Sequence, residues 1–311
     1  MTSFWSEERF KRGQDVNLCK LKDLIGRGTY SNVWTAEYGH RKTCAIKIYR
    51  PEEAFSKQGN VEISVLRELQ KAGGHPCVIR CGAYSSMDGC YCLTLELLGW
   101  NLYQLIEATK FRGVSLDLTL KFAVQLYDAL VFLKQNSVIH CDIKPENICL
   151  ANNMCSNIKL IDFGCAQKDD GFHEPYAQSR YYRAPEVLNM LPYSYPVDMW
   201  SLGCVLVELY TADPIFPGKN ATDQLSRIVN LKKKPRGVTN FVLAKKKRSE
   251  SESKREAEFF KLVESTMAFN ADDRMDPFVA HQQALALNAA TKVRRMPEKI
   301  PMETTADANG E

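Results

Sequence analysis

Apolar positions fall in two different rhythms along this chain. Short runs occur at Leu18–Ile25, Val33–Tyr38, Cys44–Ile48, Val78–Tyr84 and Tyr91–Leu95. Runs of this length between turn-forming residues predict β-strands. One helix is predicted among them. Asn60–Ala72 sets Val61, Val65, Leu66 and Leu69 at helical spacing, and Gly73–Gly74–His75–Pro76 ends it. After residue 100 the helical rhythm takes over. Asn101–Thr109 and Leu116–Asn136 read as amphipathic helices, the second with Phe122, Leu126, Leu130 and Leu133 on its core face. Short strands are predicted at Val138–Ile139 and Ile158–Ile161, and a further helix at Val197–Tyr210.

Composition narrows the setting. The 311 residues are 45% hydrophobic and 25% charged, which is ordinary for one large or two smaller globular domains. No run approaches the length of a membrane span. Met1–Arg12 carries Glu7, Glu8, Arg9, Lys11 and Arg12 and lacks the apolar centre of a signal peptide, so a cytoplasmic and/or nuclear location is expected. Most of the eleven cysteines, such as Cys44, Cys92, Cys149 and Cys204, lie inside apolar segments. They read as reduced thiols, and no pattern of paired cysteines suggests zinc. A net charge of +4 is too mild to imply nucleic-acid binding.

The candidate chemistry lies in His140–Cys141–Asp142–Ile143–Lys144–Pro145–Glu146–Asn147. Asp142 can accept a hydroxyl proton, Lys144 can reach a transferring phosphate, and Asn147 offers an amide oxygen to Mg²⁺. Phosphoryl transfer needs base, cation and metal within a few ångström of each other, and one loop supplies all three. Asp162–Phe163–Gly164 follows at the end of a predicted strand. Either motif alone is weak. Together they are the protein-kinase signature, and the chain resembles that family.

The resemblance implies an α+β, bilobal fold: a β-rich small lobe with one regulatory helix, and a larger, mainly helical lobe. ATP and Mg²⁺ would bind between them. Gly26 and Gly28 match the glycine-rich loop, with Ser31 in place of the third glycine, a change expected to stiffen the loop. Ile25, Val33 and Ala45 would line the adenine site. Lys47 matches the lysine that contacts the α- and β-phosphates. Its counter-charge is Glu62 by alignment, with Glu68 the alternative on the same helix. Leu95 would stand at the rear of the pocket, and the backbone of Glu96–Leu97 would meet adenine. Asp162 and Asn147 would hold the metal.

Tyr176–Ala177–Gln178–Ser179–Arg180–Tyr181–Tyr182–Arg183, followed by Ala184–Pro185–Glu186, looks like the dual-specificity tyrosine-regulated kinases and the related homeodomain-interacting kinases of the CMGC group. Cys141, where most kinases carry Arg, and Asp198–Met199–Trp200–Ser201–Leu202–Gly203–Cys204 fit the same family. The likeness covers roughly residues 18–285. It implies transfer to protein Ser or Thr, preferably before proline, with autophosphorylation on Tyr176. Arg180 and Arg183 are expected to receive that phosphate. Glu174 stands where the family has the first tyrosine of a pair. Arg274 is expected to pair with Glu186, and Asp198 to cap the catalytic loop.

The expected organisation is an N-terminal extension (1–17), small lobe (18–95), hinge (96–99), large lobe (100–287) and disordered tail (288–311). Ten Lys or Arg between Lys232 and Arg255 read as a solvated, mobile loop or, alternatively, as a nuclear-import signal masked by phosphorylation at Ser249, Ser251 or Ser253. A monomer is expected. The rival to an enzyme is a pseudokinase or scaffold, which loss of Lys47, Asp142 or Asp162 would favour; all three are present.

Overall fold

The computed structural model describes residues 9–171, 173–234, 236–245 and 250–289. Strands β1 (Asp15–Val16), β2 (Cys19–Arg27), β3 (Ser31–Tyr38), β4 (Lys42–Tyr49), β5 (Cys81–Met87) and β6 (Cys90–Leu95) form one sheet in the order β1-β2-β3-β4-β6-β5. All of its pairings are antiparallel. Strand alternation sorts the side chains of β4. Cys44, Ile46 and Ile48 join an outer core with Phe10, Val16, Leu21 and Trp34. Ala45 and Tyr49 turn instead toward helix α1 (Glu53–Lys71), whose Leu66 and Leu69 are buried in the main core. Lys47 lies on this second side, one register step from each.

Two expectations need correction here. Helix α1 starts at Glu53, seven residues before the expected Asn60. Gly59 reads as a helix breaker, yet a Cβ there would come within 2.9 Å of the Tyr49 ring. The glycine permits close approach within a helix. The described residues before 18, from 9 to 17, are also packed on the small lobe. Phe10 and Val16 are buried, β1 pairs with β2, and Arg9 Nη1 donates to the Asp88 carbonyl at 3.2 Å.

The large lobe runs through α2 (Leu102–Ala108), α3 (Leu116–Gln135), β7 (Val138–Ile139), β8 (Ile148–Leu150), β9 (Ile158–Leu160) and β10 (Gln167–Lys168). It continues through α4 (Pro185–Leu188), α5 (Pro196–Thr211), α6 (Ala221–Lys232), α7 (Gly237–Lys245), α8 (Glu250–Thr266) and α9 (Pro277–Ala289). Ser115 caps α3 by accepting from the Leu118 N–H, and Asn101 with Gln104 forms a capping box on α2. Helix α5 is buried from Val197 to Thr211 and forms the centre of the lobe. At Gly203 a Cβ would lie 2.2 Å from Met267 Cγ, so glycine lets the chain after α8 pack directly on α5.

The basic stretch 232–255 is not the expected loop. It spans the end of α6, all of α7 and the start of α8. Val238 and Val242 of α7 are fully buried, and that apolar spacing outweighs the charge. Lys246–Arg248 and Ser249, which the import reading needs, lie outside the described residues, as does the tail from residue 290. Among the described residues, no helix is long and apolar enough to cross a membrane.

Candidate active site

The site is built where the end of β6 passes into the large lobe. Lys47 projects from β4 opposite Leu93 of β6. Its Nζ lies 2.6 Å from Glu62 Oε2 on α1 and 2.8 Å from Asp162 Oδ1. Glu62 is nearly inaccessible, at 1% exposure, and has further partners. Tyr49 donates its hydroxyl to Oε2, and the Phe163 N–H donates to Oε1 at 3.2 Å. Glu62 thereby joins β4, α1 and the Asp162–Phe163–Gly164 turn. Glu68, the alternative, pairs with Lys168 on the exposed side of α1. Glu62 is therefore the partner of Lys47.

These charges sustain one another. Burial alone would pull Lys47 down, but the carboxylates of Asp162 and Glu62 outweigh it and hold the ammonium above its ordinary range. Burial raises Asp162, yet Lys47 beside it prevails and holds it below the usual carboxylate value. Glu62 is raised by burial, with Lys47 pulling against that shift.

The catalytic loop follows β7. Asp198 of α5 accepts from the His140 and Cys141 N–H groups at 2.7 and 3.1 Å and fixes the loop backbone. Cys141 takes a left-handed φ of 63°, a turn that bound backbone supports. His140 is fully buried, with its ring edge-on to Phe163 at 4.7 Å. Asp142 then gathers three donors. Lys144 Nζ reaches Oδ2 at 2.7 Å, Asn147 Nδ2 reaches Oδ2 at 2.8 Å, and Ser179 Oγ reaches Oδ1 at 2.7 Å. Burial would lower Lys144, but Asp142 more than offsets this and raises it.

Ser179 is a functional residue that the sequence reading passed over. It belongs to the activation segment and also accepts from Lys144 Nζ at 3.2 Å. Its one sequence signal is a hydroxyl directly before Arg180. Tyr49 was missed for a similar reason, since only the fold carries it to Glu62.

The glycine-rich turn lies between β2 and β3. Gly26 pairs with Val33, and the Gly28 N–H donates to the Ser31 carbonyl at 2.8 Å. Ser31 is buried and opens β3, paired with Tyr49, so it belongs to the strand and not to the loop tip. Ile25 is exposed and Val33 is half-buried. Ala45 pairs with Leu95. Glu96 gives its N–H to the Arg80 carbonyl, its carboxylate accepts from Lys159 Nζ at 2.9 Å, and Leu97 packs against the main core.

In the activation segment, Arg274 grips Glu186 through two parallel bonds of 2.5 and 2.6 Å, with the guanidinium wholly buried. Arg183 is buried too. Its Nε and Nη2 donate to the Ala177 and Gln178 carbonyls, and its guanidinium lies 3.9 Å from the Tyr176 ring centre. Arg180 Nη1 donates to the Lys219 carbonyl at 2.8 Å. Arg180 and Arg183, expected to receive a phosphate on Tyr176, already have backbone partners. Both are occupied, and Arg183 holds the ring face.

The protein kinase domain family model matches residues 19–286, and the chain belongs to that family. Among curated proteins it is similar to the dual specificity tyrosine-phosphorylation-regulated kinase mbk-2 of Caenorhabditis elegans, with 43% identity over 211 residues, 67% of this chain and 26% of the relative. The dual specificity tyrosine-phosphorylation-regulated kinase 2 of Drosophila melanogaster is 40% identical over 215 residues, 68% of this chain and 30% of the relative. A putative dual specificity tyrosine-phosphorylation-regulated kinase 3 homolog of that fly is 40% identical over 236 residues, 75% of this chain and 28% of the relative. The matched stretch therefore spans less than a third of each of these relatives.

Proposed function

We propose that this chain transfers the γ-phosphoryl group of ATP to Ser or Thr hydroxyls of proteins, and to its own Tyr176. The observation that carries this reading is Asp142. Its carboxylate is fixed by Lys144, Asn147 and Ser179 beside the Lys47–Glu62–Asp162 cluster. A target hydroxyl gives its proton to Asp142 as its oxygen bonds to the γ-phosphorus, and ADP leaves. Lys144 offsets the charge on the moving phosphoryl group, and Lys47 orients the α- and β-phosphates. Positioning and general-base terms of this kind contribute roughly 10²–10⁴ in rate.

Among the described residues, no cluster of three His, Cys, Asp or Glu side chains could hold a metal by itself. Mg²⁺ fits nonetheless, because it takes few protein ligands and completes its shell with phosphates and water. Asp162 and Asn147 would hold it, Asn147 through its amide oxygen, since Nδ2 donates to Asp142. When bound, the ion would neutralise charge on the phosphates. Adenine would sit among Ile25, Val33, Ala45 and Leu95, facing the backbone of Glu96–Leu97. The Glu96 N–H is given to Arg80, so the Glu96 carbonyl and the Leu97 backbone groups would meet the purine edge.

Gln178 supports a preference for proline after the target. Its φ is +64°, and its carbonyl accepts from Arg183 at 2.6 and 3.2 Å. A carbonyl held by Arg183 is a poor acceptor for the next substrate N–H. Proline has none to satisfy, so it loses nothing there. The scaffold alternative finds no support, since Lys47, Asp142 and Asp162 are present and assembled. A monomer, in the cytoplasm and/or nucleus, completes the proposal. A peptide array with Mg·ATP tests it. Label on Ser-Pro and Thr-Pro peptides is expected, and an array without Ser or Thr labelling contradicts it.

A further inference from the structure

Arg is the usual neighbour of the catalytic Asp, where it ties the activation segment down through a phosphate. This chain has Cys141 there, and the structure fills the place differently. Tyr193, in the loop before α5, is 7% exposed. Its hydroxyl accepts from Gln167 Nε2 at 2.9 Å and donates to the Glu174 carbonyl at 2.7 Å. The Glu174 N–H donates in turn to Gln167 Oε1 at 2.9 Å. Both backbone groups of Glu174 are therefore bound, one by each side chain. Gln167 is itself anchored, because β10 pairs with β7 at Ile139, directly before the catalytic loop. The His173 ring stacks on Tyr193 at 4.8 Å. Burial first, and then the neighbouring Cys141, push the Tyr193 hydroxyl well above its ordinary value, so it stays protonated and able to donate.

We infer that Tyr193 is a positioning residue, a neutral clamp that holds the activation segment in its substrate-receiving shape without a phosphate; this rests on the kinase reading above. The clamp fixes the chain two residues before Tyr176. From there the Tyr176 ring meets Arg183, and Arg183 sets the Gln178 carbonyl. Loss of the clamp should therefore weaken peptide binding and leave the nucleotide side untouched.

Tyr193→Phe keeps the stacked ring and removes only the hydroxyl. Expected is a rise of about five-fold or more in peptide KM, as for losing one buried hydrogen bond, with ATP KM within about two-fold of wild type. Gln167→Leu should do the same, and the double variant little more, because the two residues act as one unit. Hydrogen exchange of residues 167–178 supplies a readout independent of catalysis and should quicken in Tyr193→Phe. Unchanged exchange overturns the clamp whatever the kinetics. So does a parallel rise of both KM values with a lowered Tm, which marks a merely structural role. A wild-type chain without kinase activity overturns the kinase reading separately, and exchange then still decides the clamp.

Discussion

The guanidinium of Arg183 lies over the Tyr176 ring, 3.9 Å from its centre, while its N–H groups hold the Ala177 and Gln178 carbonyls. One cation thus orders both the tyrosine and the backbone that meets the substrate. Such contacts are worth about 0.5–2 kcal/mol.

Tyr176→Phe preserves this stack and removes only the hydroxyl that would carry phosphate, so activity should fall by no more than several-fold. Tyr176 is 67% exposed, which leaves its hydroxyl open to modification. Protein made in a bacterial host without tyrosine kinases should carry phosphate on Tyr176. Mass spectrometry checks this, and unmodified Tyr176 in protein fully active on Ser or Thr peptides speaks against autophosphorylation there.

Glu186 and Arg274 form a buried pair. Arg274→Ala leaves the carboxylate buried without its partner, which typically costs about 3–5 kcal/mol. Thermal unfolding should show a clear drop in Tm. A Tm equal to that of wild type would show that water or another cation replaces the guanidinium.

Glu208 gives a pH signature. Burial raises its carboxyl from 4.5 to about 7, and Tyr182 donates to it at 2.7 Å. The folded state then holds this proton more tightly than the unfolded chain. Its contribution to stability falls as pH rises from 4.5 to about 7 and levels off above that. The total is at most on the order of 3 kcal/mol. Glu208→Gln should therefore flatten the stability profile between these limits and gain most, relative to wild type, above pH 7. Denaturant unfolding at several pH values measures it, and parallel profiles for the two proteins exclude it.

Much of the fold was legible because local signals agreed with the tertiary structure. Leu116–Gln135 has an apolar stripe and a serine cap, and Val138–Ile139 is a short apolar strand; both stand where expected. The failures have physical causes. Gly59 resembles a helix stop but serves contact with Tyr49. Val78 resembles a strand start, yet it forms only an isolated bridge with Leu160, and β5 begins at Cys81. Lysine runs hid the two buried valines of α7. At the site, Asp142, Lys144, Asn147 and Asp162 share two short motifs, and spacing sufficed. Ser179, Tyr49 and Tyr193 act across long stretches of sequence, and only folding brings them to their partners.

Asp142→Asn tests the assignment of the base most directly. Purified wild-type and variant chains are compared for transfer of the γ-phosphoryl group from Mg·ATP to a Ser-Pro peptide, with nucleotide affinity measured alongside. Loss of roughly 10²–10⁴ in rate, with ATP affinity kept because Lys47, Asp162 and Asn147 are intact, is the expected result. Transfer by the variant within about tenfold of wild type, below that range, would contradict Asp142 as the base.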